Sequence, residues 1–128
     1  MKKRVFISFD YDHDEDLRNL LIGQSRNPDS PFEMANWSVK EPMTGDWKSK
    51  VQSRIKKCEL MIVMCGQHTN TASGVSVELG IAQEEKISYF LLWGRSDKQC
   101  VKPKAAKKSD KTYKWTWDNL KALLRGAR

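Results

Sequence analysis

Residues 60–82, LMIVMCGQHTNTASGVSVELGIA, decide the fold. An apolar run from Leu60 to Cys65 ends at Gly66, and a polar loop from Gln67 to Thr71 follows. Ser73 then opens a helix that carries Glu78 about one turn in. A buried strand delivering its loop into a helix start is the usual rim of an α/β ligand site. At that place Glu78, flanked by Val77 and Leu79, has two readings. It is a charge that favours the positive end of a helix, or a reactive carboxylate facing a substrate.

The same alternation continues on both sides. Upstream, Arg4 to Phe9 (RVFISF) reads as a first strand, and Asp10 to Asp14 (DYDHD) as an acidic loop. A helix from about Glu15 to Gln24 follows, with Leu17, Leu20 and Leu21 at helical spacing. Arg26 to Pro31 carries turn signals, and Phe32 to Val39 is a second, more polar strand near an edge. Pro42 to Gly45 turns the chain into a helix from about Asp46 to Lys57, where Trp47, Val51 and Ile55 mark a core-facing stripe. Downstream, the helix from Ser73 is expected to reach Glu85. Ile87 to Trp93 (ISYFLLW) is a strand covered on both faces. Thr112 to Trp115 forms a short last strand, and Thr116 or Asp118 caps a final helix with Leu120, Leu123 and Leu124 on one face. Strand–helix–strand units return right-handed, so the architecture expected is a three-layer α/β sandwich with a parallel sheet of about five strands.

Composition sets the surroundings. The chain has 128 residues, enough for one domain over 1–128, and its 39% apolar residues with five Trp suit a packed core. No apolar run reaches the ~18 residues of a membrane span, and Met-Lys-Lys-Arg leads into a strand rather than a signal-peptide core. Cys58, Cys65 and Cys100 are odd in number and lack ligand spacing, which suits reduced, packed thiols in the cytoplasm. With only His13 and His68 beside them, no metal site is expected. The net charge of +7 is concentrated between Arg95 and Lys114, where eight Lys or Arg stand against two Asp. Residues 95–112 therefore read as a long, solvated, mobile basic loop. It is a solubilising flap, or a lid that attracts a phosphate-bearing ligand or a protein partner. Nucleic acid is disfavoured, because no aromatics are interleaved and no recognisable module surrounds the segment.

Ligands of such a sheet lie beyond the carboxyl ends of its strands. Collected there are Asp10, Tyr11 and Asp12, then Trp37 and Ser38, then Gly66 to Thr69, with Ser73 and Glu78 on the next helix. Neither G-x-G-x-x-G nor a Walker pattern occurs, which disfavours a dinucleotide fold or an NTPase. No nucleophile–base pair stands out. One carboxylate among hydroxyls and aromatics suits cleavage of an N-glycosidic bond, whose oxocarbenium-like state a carboxylate stabilises. A single carboxylate is enough where the leaving group is already cationic, as nicotinamide is in NAD. Each residue also has a plainer role. Asp10 and Asp12 can cap the first helix, Ser73 can be the N-cap of the Glu78 helix, and Trp47 suits the core.

Four elements, VFISFDYDHDED, NWSV, Trp47 with Ile55 ahead of CELMIVMCGQHT, and TASGVSVELGIA, resemble in order and spacing a TIR-like domain. The branch is that of stand-alone prokaryotic proteins, including the ThsB component of Thoeris anti-phage defence. The resemblance covers about Val5 to Gly94. It implies a flavodoxin-like sandwich that cleaves NAD at the nicotinamide–ribose bond and produces a cyclised or otherwise modified ADP-ribose signal. NAD is then a substrate, with no separate cofactor. Self-association for activity is implied, as is a separate effector protein that the signal activates. By position, Glu78 matches the family's catalytic glutamate. Phe9 and Asp10 match the first loop, which lines the nicotinamide–ribose pocket, with Tyr11 beside them a further substrate-binding candidate; Ser38 falls at the end of the second strand, and Ser73 at the small hydroxylic residue five before the glutamate. Gly74 stands where many active members carry an aromatic, which leaves the stacking wall to Phe9, Tyr11, Trp37, Trp47 or a second protomer. Two alternatives remain: a nucleoside deoxyribosyltransferase or nucleotide N-glycosidase, and a non-catalytic TIR scaffold for protein–protein interaction.

Overall fold

A computed structural model describes residues 2–38 and 45–126. Five strands form one all-parallel sheet: β1 (Lys3–Ser8), β2 (Phe32–Trp37), β3 (Leu60–Cys65), β4 (Ser88–Trp93) and β5 (Thr112–Lys114). Their order across the sheet is β2-β1-β3-β4-β5. Four α-helices alternate with them: α1 (Glu15–Ser25), α2 (Trp47–Lys56), α3 (Ser73–Glu84) and α4 (Trp117–Leu124). The sequence places each element within a residue or two of these bounds. Val39 and residues 42–44, expected at the end of the second strand and in the following turn, lie outside the described residues.

Period-2 alternation on the strands sorts the core into two layers. Val5, Ile7, Leu60, Ile62, Met64, Phe90 and Leu92 pack against Leu17 and Leu21 of α1 and Leu120, Leu123 and Leu124 of α4. Phe6, Met61, Val63, Cys65 and Leu91 pack on the other face, against Val51 and Ile55 of α2 and Val75, Leu79 and Ala82 of α3. All six residues of β3 are buried, as a central parallel strand covered on both faces requires. Thr116 is the cap of α4, its Oγ1 accepting the Asn119 N–H at 3.1 Å. No helix among the described residues is long and apolar enough to cross a membrane.

The basic segment departs from the expected mobile flap. Val101 N–H donates to the Gly66 carbonyl at 2.9 Å, and the Ala105 carbonyl accepts from Gln83 Nε2 of α3 at 3.0 Å. Asp110 accepts the Tyr89 hydroxyl at 2.7 Å, and Cys100 is buried in the α2/α3 layer. Backbone groups, small side chains, Arg95 and Lys102 anchor the segment while its other lysines stay largely in water, so its charge conceals its packing.

Candidate functional site

In the order β2-β1-β3 the chain leaves β1 to one side and returns to the other, which opens a crevice at the carboxyl end of β1. A cavity of about 360 Å³ lies there. Phe9 to His13 line it from the loop after β1, Ser38 from the end of β2, and Trp47 from the start of α2. Thr71 to Val75 and Glu78 line it from the loop and first turns after β3. Phe9, Asp10, Tyr11, Asp12, Ser38, Ser73 and Glu78 of the expected residues are in this set, whereas Trp37 and Gly66 to Thr69, also expected beyond the strand ends, do not line the cavity.

Glu78 is held from the sheet side. Val75, Glu78, Leu79 and Ala82 share the inner stripe of α3, so Glu78 is carried into the core and is only 3% exposed. Ser8 ends β1 on the same face as Phe6, and its Oγ donates to Glu78 Oε1 at 2.7 Å. Ser38 Oγ donates to the same oxygen at 2.5 Å while accepting the Phe9 N–H at 3.2 Å. Burial pushes the Glu78 carboxyl up to about 7, against the lowering effect of the Ser38 and Ser8 hydrogen bonds. A carboxyl near neutrality at a cavity wall can hold or release a proton under physiological conditions.

Ser8 is the residue missed from sequence. Strand periodicity was the available signal, because position 8 shares a face with Phe6 and opposes Val5 and Ile7. Other expectations are sharpened. Neither Asp10 nor Asp12 takes the N-cap position of α1, which Asp14 occupies. The Asp10 carboxylate instead accepts the Asp12 N–H at 3.2 Å and lies 2.7 Å from His13 Nδ1. Ser73 is the first residue of α3 rather than its cap. Ala72 holds the cap position with no side-chain bond, which leaves the first-turn amides beside the cavity.

The candidate stacking residues separate. Phe9 and Tyr11 line the cavity with ring centroids 5.9 Å apart, and the Arg18 guanidinium carbon lies 5.6 Å from the Phe9 ring. Trp37 faces away, packed with α1 and approached by Arg18 at 5.8 Å. Trp47 is both core and wall. It packs with Val51 and Ile55, yet it borders the cavity, and its buried Nε1 has no hydrogen-bond partner. A Cβ built on Gly74 meets nothing within 4 Å, so that side of the cavity is open.

Among the described residues, no Lys or Arg lines the cavity, and no residue of the basic segment reaches it. No group of three or more potential metal ligands occurs among them either. Among the described residues, the ionisable side chains at the wall, His13 aside, are the carboxyls of Asp10, Asp12 and Glu78.

No curated protein matches the chain. Among solved structures, the crystal structure of a prokaryotic SEFIR domain is similar, with a TM-score of 0.56 at 20% identity over 97% of this chain and 91% of that one. A likeness at that identity speaks to the fold alone. Residues 6–99 match the family model described as "Thoeris protein ThsB, TIR-like domain", a stretch running from β1 through β4 and including Glu78 and the whole cavity lining. The chain belongs to that family of TIR-like domains.

Proposed function

We propose that the chain cleaves NAD at the nicotinamide–ribose bond and passes on the ADP-ribosyl group as a cyclised or otherwise modified signal in anti-phage defence. The observation that carries this reading is Glu78: buried, pinned by two hydroxyls, and set in a cavity whose charged wall is carboxylate. Such a wall favours the cationic nicotinamide ring of NAD and the oxocarbenium character that develops as the bond breaks. Nicotinamide departs neutral, so no acid is needed to protonate it. Phe9, Tyr11 and Trp47 offer flat apolar surface for the ring. The start of α3, which no Ala72 side chain caps, brings the positive end of the helix to the cavity, where it favours a phosphate. The 360 Å³ of space is within the range of small-molecule sites. Action through a separate effector, and self-association for activity, belong to the same proposal.

The test is release of nicotinamide from NAD by purified protein, beside a Glu78→Gln variant. Turnover by the wild type that the variant loses supports the reading, and equal turnover by both removes Glu78 from it. Deoxynucleosides offered in place of NAD separate this reading from a deoxyribosyltransferase-like enzyme, which would cleave them instead. A second reading, a non-catalytic scaffold, draws on Gly74, which leaves unfilled the part of the wall where an aromatic would stand. Absence of any ligand-induced shift with NAD favours that reading.

A further inference from the structure

We infer that Asp10 and His13 form a carboxylate–imidazole dyad at the mouth of the Glu78 cavity that takes the proton from the hydroxyl attacking the ribosyl carbon. The inference rests on the proposed cleavage of NAD and names the residues that decide where the ADP-ribosyl group goes.

The dyad is built by the turn after β1. The Asp10 carbonyl accepts the N–H groups of His13 at 3.2 Å and Asp14 at 2.8 Å, which folds His13 back over Asp10. Asp10 Oδ1 accepts the Asp12 N–H, and Oδ2 lies 2.7 Å from His13 Nδ1. Two further elements steady the imidazole. The His68 ring, from the loop after β3, lies 4.2 Å away centroid to centroid, and Arg95 Nη2 donates to the His13 carbonyl at 3.1 Å. With the carboxylate accepting a hydrogen bond from Nδ1–H, the lone pair is on Nε2. The Asp10 side chain is 8% exposed and that of His13 48%, so the imidazole is at the open side of a cavity whose closed side holds Glu78.

This division suits the two steps of the reaction. In the first, the bond between the ribosyl carbon and nicotinamide breaks. Its electron pair stays with the ring nitrogen, neutral nicotinamide leaves, and the ribosyl carbon becomes cationic beside Glu78. In the second, an oxygen lone pair of an incoming hydroxyl forms the new C–O bond. The O–H electrons remain on that oxygen, and the proton passes to Nε2 of His13. The imidazolium so formed lies against the Asp10 carboxylate and later returns its proton to water. Glu78, held through Oε1 by Ser8 and Ser38 at the buried end of the site, stays with the first task, and the half-exposed imidazole at the mouth meets the incoming hydroxyl.

A positioned base contributes on the order of 10²–10⁴-fold to such a proton transfer. The experiment follows both nicotinamide and the ADP-ribosyl products from NAD, by chromatography and mass spectrometry, for wild type, His13→Ala and Asp10→Asn. The ratio of cyclised or O-linked product to free ADP-ribose falls at least about tenfold in both variants, and nicotinamide release falls by a smaller factor. An unchanged product ratio overturns the dyad and leaves NAD cleavage standing. A turnover-independent arm records imidazole nitrogen NMR while ADP-ribose is added. The dyad requires the proton on Nδ1 of His13 and a shift at Nε2 on binding; a proton on Nε2, or an unresponsive ring, overturns it. Wild-type protein that releases no nicotinamide but shows the Nε2 response removes the NAD reading alone, and the dyad then serves another ribosyl substrate.

Discussion

Two carboxylates in this protein are buried to nearly the same degree and do opposite things. Asp14 is 1% exposed and Glu78 3%. Burial pushes both carboxyls upward. Asp14 faces a cation: Arg95 Nη2 donates to its Oδ1 at 3.0 Å, and the same guanidinium grips Asp16 through bonds of 3.0 and 2.8 Å. Its Oδ2, without a hydrogen-bond partner, lies against Gly66, where a Cβ would overlap it. Glu78 accepts the Ser8 and Ser38 hydroxyls and borders a cavity, and the charge of Arg54 lowers its carboxyl less than those two hydrogen bonds do. The Arg95 guanidinium draws the Asp14 carboxyl down against the burial that raises it, and makes Asp14 a clasp between α1 and the basic segment. Hydroxyls leave the proton negotiable. The contrast separates a carboxylate that holds the fold from one suited to chemistry.

The sharpest way to break that contrast is Glu78→Gln. It keeps the shape and an acceptor for both serines but removes the negative charge. Nicotinamide release falls by about 10³, roughly 4 kcal/mol of transition-state stabilisation. A loss under tenfold, in a side-by-side progress curve, would mean that the charge of Glu78 is not used.

The same substitution has the reverse effect on stability. The Glu78 carboxyl rises from 4.5 in the unfolded chain to about 7 in the fold. The folded state therefore binds more protons between those values, and the wild type loses stability as pH rises through that window. Gln does not titrate. The variant is expected to be more stable than wild type at pH 8 by roughly 3 kcal/mol, with the gap closing towards pH 5. Thermal melts at both pH values check the sign; a gap that widens at pH 5 refutes it.

Arg95→Met tests the other carboxylate. It leaves Asp14 buried without its cation and frees the start of the basic segment, at a cost of about 2 kcal/mol in urea unfolding. Part of the burden is relieved because Asp14 can take up a proton. Adding Asp14→Asn to that background recovers some of the loss, since the uncompensated charge is then gone. Arg95 also holds the Asp16 carboxyl below its ordinary range, a contribution present at neutral pH and lost as pH falls through the lowered value.

What the sequence made legible follows the same division. The fold was readable because Leu60–Cys65 and Phe90–Leu92 are apolar throughout, and because Trp47, Val51 and Ile55 repeat at helical spacing. The place of Glu78 was readable too, since it falls on the buried stripe of α3 with Val75 and Ala82. Its partners were harder. Ser8 is a small polar residue at the end of an apolar strand, and its role depends on which helix covers that face of the sheet. The Asp10–His13 contact depends on a turn closed by backbone bonds that no residue type announces. Arg95 and Asp14 are 81 positions apart in sequence. Charge density misled in the basic segment, where Val101, Ala105 and Cys100 share the anchoring with Arg95 and Lys102 and the other lysines hide it.

The smallest expected effect is the most diagnostic of how Glu78 is tuned. Ser38 and Ser8 each hold the carboxyl lower than burial alone would set it, Ser38 the more strongly. Ser38→Ala removes a donor to the ionised form, so the carboxyl moves above about 7, and the acid limb of kcat/KM for NAD moves to higher pH by up to about one unit. Activity at pH 7 then drops severalfold and recovers in more alkaline buffer. Ser38 also accepts the Phe9 N–H, and that amide would lose its partner, so Ser8→Ala is the necessary companion. Ser8 should move the limb in the same direction by less. A rate loss that is equal at every pH in both variants would assign the serines to the shape of the cavity rather than to the proton on Glu78.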